Sequence, residues 1–201
     1  MAALTPMMQQ YVEVKEKYKD CILFYRIGDF YEMFFEDAIT ASKVLEITLT
    51  GKDCGQEERA PMCGVPYHAC DVYLNKLIEN GFKVAICEQV EDPKLAKGLV
   101  KRDVIRVVTP GTNMSQAILD ENTNNYLMSI YLSKDMSGVS VVDITTGEFK
   151  TCRISSIAKL ADEINKYSPS EIIGNDDFLN APLDFEYMKD RQKIAISKTP
   201  E

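Results

Sequence analysis

The stretch FYRIGDFYEMFF, Phe24–Phe35, is the most informative part of this 201-residue sequence. It holds four of the chain's eight phenylalanines, a break at Gly28-Asp29, and one carboxylate after that break, Glu32. The apolar run Cys21–Ile27 before the break has the length and composition of a β-strand. We therefore expect the functional tip of the chain at the break, and we interpret the rest of the sequence around it.

Apolar residues continue after the break at the spacing of an amphipathic helix. Gly28 supplies the backbone freedom for a sharp strand-to-helix turn, and Asp29 followed by Glu32 fits a helix start with its capping pair. This places Phe30 and Tyr31 in the first helical turn. Phe30 is then free to point outward, although a core position for its ring, with Glu32 acting only as a cap, is the alternative. The apolar positions on the predicted helix are Met33, Phe34, Ala38, Ala41, Val44 and Leu45.

The remainder of the sequence up to Thr112 alternates helix-like and strand-like patterns, so we expect an α/β fold with a mixed sheet flanked by helices. Pro61, Gly64 and Pro66 lie so close together that they predict an irregular segment. No pair of strands here carries the two-residue hairpin signal. The predicted elements are a helix from Thr5-Pro6 to about Lys19, a strand over 46–50, an exposed loop over 51–59, the irregular segment 60–68, a helix over 71–80, and strands over 82–88 and 104–108.

The pattern of apolar and polar residues changes after a polar segment, residues 113–124, which we interpret as a linker. Three strands follow as a meander, then a helix that Ser155 or Ser156 caps, and then two more strands. This order resembles the opening of a ribonuclease H-like domain, without a closing helix. We therefore predict two domains, 1–112 and 125–201, of which the second is truncated. The predicted elements after the linker are strands over 126–132, 139–144 and 148–152, a helix ending near Tyr167, and strands over 171–174 and 192–196.

The charge distribution limits the possible partners. A net charge of −8 argues against a general nucleic-acid coat protein, but a local DNA surface stays possible because affinity follows the charges at the contact. One basic stretch contains five cationic side chains and a single acidic one, Asp103. A solvated loop explains this stretch equally well. Its basic residues are Lys94, Lys97, Lys101, Arg102 and Arg106.

The sequence offers no established catalytic pattern. It contains no phosphate-binding loop of the form GxxxxGK[ST], no GxGxxG and no HExxH. None of the six cysteines forms a CxxC pair, so reduced thiols are expected. Cys54, Cys63, His68 and Cys70 are the one set that leaves a metal-dependent or thiol enzyme open as an alternative. The sequence has no charged-then-apolar leader and no run of bilayer length, so we expect a cytoplasmic chain without a membrane.

Four blocks of the sequence form a recognisable set: FYRIGDFYEMF (24–34), PMCGVPYHA (61–69), AICEQVEDP (85–93) and RVVTPGT (106–112). These blocks resemble the mismatch-recognition domain of the MutS family of DNA mismatch-repair proteins. They occur in the same order as in that family, and residues 118–196 resemble its connector domain less sharply. The resemblance implies a Phe-x-Glu reader, here Phe30 and Glu32. The phenylalanine would enter the minor groove and stack on a mispaired base, while the glutamate would hydrogen-bond to that base.

The resemblance also implies how the reader contacts the base and the backbone. An ionised carboxylate only accepts hydrogen bonds, and so does a purine N7. We therefore expect Glu32 to be protonated when it meets N7, because nearby phosphates and desolvation disfavour the charged form. Contacts that flank the base or bind the backbone are expected from Ile27, Lys52, Met62, His68 and Arg102.

The resemblance implies the following partners and cofactors. The expected ligand is double-stranded DNA with mispairs or small insertion or deletion loops, bound by a homodimer in the full-length protein and near the nucleoid. A MutL-like repair partner would dock on the connector domain. ATP and magnesium belong to an ATPase domain outside this chain. The second alternative is a protein-interaction module, in which 113–201 binds a repair partner and the aromatic tip is a protein hot spot.

Overall fold

The computed structural model describes residues 4–91, 98–113, 124–134 and 136–199. These form two compact units, Met1–Val108 and Thr109–Glu201. Each unit has its own mixed β-sheet with helices, which confirms the predicted α/β class. Most of the predicted linker lies outside the described residues, so the domain boundaries at 112 and 124 stay predictions.

The described part of the first unit contains a six-stranded sheet in the order β3-β4-β2-β1-β5-β6. Strands β1 and β5 are parallel and the other neighbouring pairs are antiparallel. The elements are α1 (Pro6–Lys17), β1 (Cys21–Ile27), β2 (Phe30–Phe34), α2 (Phe35–Leu45), β3 (Thr50–Lys52), β4 (Ala60–Pro66), a 3₁₀ turn (Tyr67–Ala69), α3 (Cys70–Glu79), β5 (Lys83–Gln89) and β6 (Arg102–Val108).

Helices cover both faces of this sheet. On one face, Met8 and Tyr11 of α1 pack with Leu23, Tyr25 and Phe34, which are all fully buried or nearly so. We call this the α1 face. On the opposite face, α2 packs on β4, where the Cys63 thiol donates to the Ala38 carbonyl oxygen at 3.5 Å. The sheet therefore buries apolar side chains on both sides, which explains the continuous apolar run in β1.

Asp37 joins α2 to the elements beneath it. Its carboxylate accepts hydrogen bonds from the Leu23 backbone N–H at 2.9 Å and from the Tyr11 hydroxyl at 3.4 Å, and it pairs with the Lys15 ammonium at 2.9 Å. Asp37 is only 8% exposed. A buried carboxylate with three partners fixes the start of α2 against both α1 and β1.

The prediction that Phe30 and Tyr31 lie in a helix was wrong, as was the predicted capping pair. Both residues belong to β2, which pairs antiparallel with β1 so that Ile27 lies opposite Phe30. Gly28 has φ +56° and Asp29 has a negative φ, the sign pattern of a type II′ hairpin turn with glycine first. The two-residue hairpin signal was therefore present in the sequence at Gly28-Asp29.

The helix begins later, at Phe35, without an intervening loop. Phe35 has φ +53°, a left-handed conformation that turns the chain directly from β2 into α2. The predicted helical spacing is thus divided between two elements. Ala38, Ala41 and Leu45 are buried along α2, whereas Met33 and Phe34 are buried on β2.

Two further predictions for the first unit were wrong. A strand was expected over 46–50, but β3 begins only at Thr50 and ends at Lys52. Glu46 instead ends α2 in a left-handed conformation. The segment 60–68 is not irregular, since β4 occupies Ala60–Pro66. Its pairing with β2 runs only from Met62 to Pro66, so its two prolines lie at or beyond the ends of that ladder, where a missing N–H matters least.

The described part of the second unit has a five-stranded sheet in the order β11-β10-β7-β8-β9. The predicted antiparallel meander, the helix and the two later strands are confirmed. The structure adds that β10 pairs parallel with both β7 and β11. The Ser156 hydroxyl caps the helix by accepting from the Lys159 N–H at 3.3 Å. The second strand of the meander begins earlier than predicted, at Met136, and the last strand begins later, at Ala195. The elements are β7 (Tyr126–Ser133), β8 (Met136–Asp143), β9 (Glu148–Ile154), α4 (Ile157–Tyr167), β10 (Glu171–Gly174), α5 (Asp176–Leu179), α6 (Phe185–Asp190) and β11 (Ala195–Lys198). None of the helices in the part of the chain that the structure describes is long and apolar enough to span a membrane.

Candidate nucleic-acid interface

The tip of the β1–β2 hairpin carries an exposed aromatic ring. Phe30 is the first residue of β2, and 47% of it is accessible to solvent. In the same stretch, Phe24 and Phe34 are fully buried. Phe30 therefore projects from the end of a hairpin rather than from the end of a helix, and its ring is not enclosed by neighbouring side chains.

Most of the residues predicted to contact DNA share one face of the first sheet. Because side chains alternate along a strand, Phe30 and Glu32 point to the same side of β2, and Ile27 lies directly opposite Phe30 on β1. The strand registers add the remaining members to this face. The predicted residues on the α1 face are Ile27, Phe30, Glu32, Lys52, Met62 and Arg102.

Glu32 and Lys52 form an ion pair across β4. Their side chains are 14% and 29% exposed, so the pair is partly shielded from water. Gly64 lies opposite Glu32 on the intervening strand, and a Cβ there would approach the Glu32 Cγ to 3.5 Å and the Tyr31 carbonyl oxygen to 3.3 Å. The glycine thus provides the space in which the Glu32 side chain reaches Lys52.

Arg102 is engaged within the first unit. Its Nε–H donates to the Arg26 carbonyl oxygen at 2.7 Å, and its Nη1 donates to the Gln10 Oε1 at 3.1 Å and to the Val100 carbonyl oxygen at 3.0 Å. The guanidinium carbon also lies 5.0 Å from the centre of the Tyr25 ring. Arg102 therefore ties β6 to β1 and α1. Lys94 and Lys97, from the same basic stretch, lie outside the described residues.

Met62 and His68 occupy different surroundings. Met62 lies opposite both Phe34 and Thr50 and is half-buried at the edge of the α1-face core. His68 is exposed in the 3₁₀ turn that follows β4, where its ring meets Tyr67 edge-on at 5.8 Å. The structure therefore places His68 apart from the shared face.

The sequence interpretation missed a network behind the hairpin tip. Arg26 donates to the Gly28 carbonyl oxygen and pairs with Glu88 at 3.3 Å, and its guanidinium lies 3.8 Å from the centre of the Tyr67 ring. The Tyr31 hydroxyl donates to the same Glu88 carboxylate. Burial, reinforced by that carboxylate, raises the pKa of Tyr31 above its ordinary value. The available signal was Arg26 itself, since a cation near the end of an apolar strand needs a partner.

The cysteine and histidine set does not form a metal site. Within the described ranges, no group of three or more His, Cys, Asp or Glu side chains is arranged to hold a metal ion. Burial raises the pKa of Cys63 and of Cys70 to about 11 each, whereas a nucleophilic thiol needs a lowered pKa. Cys54 is buried and donates to the Glu58 carbonyl oxygen at 3.3 Å. The geometry does not favour a metal-dependent or thiol enzyme built from these residues.

Comparison with protein families accounts for this arrangement. A family model described as MutS domain I matches residues 5–117, which is more than half of the chain. This chain belongs to the MutS family. A second model, MutS domain II, matches residues 125–199. The hairpin tip and the Glu32–Lys52 pair all lie within the MutS domain I match.

Individual MutS relatives are similar along nearly the whole chain. Proteins named DNA mismatch repair protein MutS from Lachnoclostridium phytofermentans and Acetivibrio thermocellus are 66% and 64% identical over 98% of this chain. A protein of the same name from Clostridium botulinum is 54% identical over 98% of it. The chain covers 21%, 23% and 21% of these three relatives, so it spans about one-fifth of a MutS protein of their length.

Proposed function

We propose that this chain senses mispaired or unpaired bases in double-stranded DNA, as the N-terminal part of a longer MutS-type mismatch-repair protein. The observation that carries the proposal is the exposed ring of Phe30 at the tip of a two-residue hairpin, inside the MutS domain I match. The name that these relatives share, DNA mismatch repair protein MutS, supports the same assignment.

Phe30 is suited to act as a wedge between base pairs. An apolar side chain inserted from the minor groove must overcome unstacking of about a few kcal/mol per base step. A mispair or an unpaired base has already lost part of its pairing and stacking, so the insertion costs less there. Ile27 lies opposite Phe30 and extends the apolar surface of the tip. Discrimination then follows from how easily the DNA deforms, which lets one protein detect many different mispairs.

Glu32 lies two residues after Phe30 on β2, so both side chains are on the same face of the sheet. In this proposal Glu32 contacts the base that stacks on Phe30. In the free chain its carboxylate pairs with Lys52. A purine N7 accepts hydrogen bonds and so does a carboxylate, so contact with N7 requires that Glu32 carry a proton. We propose that a DNA phosphate takes over the Lys52 ammonium on binding, which leaves Glu32 free to become protonated.

The other residues expected to contact DNA differ in how far their side chains are exposed or already bonded within the chain. His68 is accessible and suited to a phosphate contact, which sets position and salt dependence rather than base preference. Arg102 is held by three intramolecular acceptors and orients the end of β1, so its contribution to DNA binding is through the shape of the site. Met62 is half-buried and packs against the core of the α1 face, so its contribution is to packing.

The proposal extends to the partners of the longer protein. The ligands are duplexes with mispairs or small insertion or deletion loops, bound by a homodimer, with a MutL-like repair partner on the second unit. ATP and magnesium are assigned to the part of the relatives that this chain does not span. The sequence contains no GxxxxGK[ST] loop of the kind that holds a nucleotide phosphate.

The test is the Phe30→Ala substitution, made in a chimaera in which this chain replaces the matching segment of the L. phytofermentans relative. Phe149→Ala is the matched control, since Phe149 is 65% exposed on the other unit. Loss of a stacked aromatic ring costs about 1–3 kcal/mol, roughly 5- to 150-fold. We expect that loss for a mismatched duplex, a much smaller loss for a fully paired one, and no loss with the control. Equal losses on both duplexes would contradict the proposal.

A further inference from the structure

We propose that Arg26 and Tyr67 are positioning residues, which hold the β1–β2 hairpin tip in the geometry from which Phe30 enters the duplex. This inference rests on the proposed function and adds two residues that act through the hairpin rather than on DNA.

Both carbonyl groups of the two-residue turn have donors outside the hairpin ladder. The Arg26 Nε–H donates to the Gly28 carbonyl oxygen. The Tyr67 backbone N–H donates to the Asp29 carbonyl oxygen at 2.9 Å. One donor comes from β1 and the other from the 3₁₀ turn after β4, so the turn is fixed from two neighbouring elements.

The side chains of the two positioning residues also contact each other. The Arg26 guanidinium carbon lies 3.8 Å from the centre of the Tyr67 ring, within the range of a cation–π interaction. Glu88 on β5 pairs with Arg26 at 3.3 Å and accepts from the Tyr31 hydroxyl. A charge-compensated network thus connects the turn to β5, the strand beside β1.

This network lies behind the ring that it positions. Arg26 and Tyr31 are opposite each other in the β1–β2 ladder, on the face away from Phe30. Tyr31 is 5% exposed and packs on Phe24, with the ring centres 5.7 Å apart. A side chain that pushes into stacked bases transmits the opposing force to its own backbone, and here that backbone is supported from behind.

Support of this kind matters because the hairpin tip extends beyond the pairing of β1 with β5, which ends where Tyr25 lies opposite Cys87. If the tip were mobile in the free chain, ordering it on DNA would reduce the affinity for every duplex that must be wedged open. Binding to fully paired DNA without insertion would change much less. The two residues therefore act on discrimination rather than on charge attraction.

The experiment compares Tyr67→Ala with Tyr67→Phe in the same chimaera, with Phe30→Ala as the reference. Tyr67→Phe retains the ring over Arg26, whereas Tyr67→Ala removes it and leaves the backbone donor. We expect Tyr67→Ala to lower mismatch affinity about tenfold, which corresponds to about 1.4 kcal/mol, with little change on paired DNA. Amide hydrogen exchange at Phe30 and Tyr31 should accelerate in Tyr67→Ala alone, while the melting temperature of Tyr67→Phe stays that of wild type.

The outcomes separate the two proposals. If Phe30→Ala loses mismatch preference but Tyr67→Ala keeps it, the positioning role is wrong and the wedge stands. If Phe30→Ala keeps the preference, the wedge itself is wrong. Equal loss on both duplexes with Tyr67→Ala also contradicts positioning. If Tyr67→Ala fails to fold, Arg26→Lys replaces it as the test. Lysine retains the charge that pairs with Glu88 but loses the planar stacking on Tyr67 and the hydrogen bond to the Gly28 carbonyl oxygen. An unchanged mismatch preference in Arg26→Lys would then overturn the proposal.

Discussion

The Glu32–Lys52 ion pair can be measured directly by a double-mutant cycle. The substitutions are Glu32→Gln, Lys52→Met and the two together, which remove one charge, the other charge, or both. The pair joins β2 to β3 over the intervening β4, and neighbouring strands lie roughly 4.8 Å apart. The long lysine side chain makes this contact feasible across two strand spacings.

The expected coupling follows from how much water reaches the pair. An exposed ion pair contributes up to about 1 kcal/mol, and breaking a fully buried one costs about 3–5 kcal/mol. The side chains of Glu32 and Lys52 are 14% and 29% exposed, so the pair lies between these limits. We expect a coupling energy of about 1–2 kcal/mol in the free energy of unfolding.

The assay is urea denaturation of the four chains, followed by circular dichroism. Additivity of the two single substitutions to within about 0.3 kcal/mol would refute the ion pair as an energetic contact. In duplex binding, Glu32→Gln should retain affinity for a mismatch and strengthen binding to paired DNA, because it keeps a donor and removes a negative charge. Loss of all binding with Glu32→Gln, at every pH, would refute the proposed protonation.

Two predictions concern the units separately. Asp37→Ala should lower the free energy of unfolding by about 3 kcal/mol, because it leaves the buried Leu23 backbone N–H without its acceptor and removes the charge that pairs with the half-buried Lys15 ammonium. Glu36→Ala should change the free energy of unfolding little, because Glu36 is exposed. Gly174→Ala should destabilise the second unit by about 1–3 kcal/mol, since its Cβ would lie 2.2 Å from the buried Phe178 ring. Gly138→Ala, where a Cβ meets nothing within 4 Å, is the control. Thermal or urea unfolding checks both, and equal effects in either matched pair would contradict the packing argument.

Elements with local end signals were predicted correctly. Thr5-Pro6 begins α1, Gly81 follows the end of α3, and Ser156 caps α4, and each of these signals depends on residues within one turn of the helix. The strands of the second-unit meander were also found, because alternation along a strand is visible in the sequence itself.

The errors arose where two elements share one periodic pattern. Met33 and Phe34 continue the spacing of α2, although they belong to β2, because no loop separates the two elements. The prolines of β4 suggested an irregular segment, but their positions at the ends of the β2 ladder make a strand possible. Neither fact can be derived from local sequence, since both depend on which strands pair.

The contacts of the candidate site residues could not be predicted from the sequence. Phe30 and Glu32 were predicted from the sequence and their roles stay predictions, although the exposed ring at the tip agrees with the role proposed for Phe30. The partner of Glu32 was not identified, because its contact with Lys52 requires the register of three strands. The same holds for Tyr67, whose link to the turn exists only once β4 lies beside β2.

The direct junction between β2 and α2 has a mechanical consequence. No loop separates Phe30 from Asp37, because β2 ends at Phe34 and α2 begins at Phe35. The Asp37 carboxylate fixes this continuous backbone to α1 and β1. We therefore expect a displacement of the hairpin tip at Phe30 to be transmitted along the backbone to Asp37. A glycine-rich insertion between Phe34 and Phe35 would act as a hinge, and would uncouple movement at the tip from the interior.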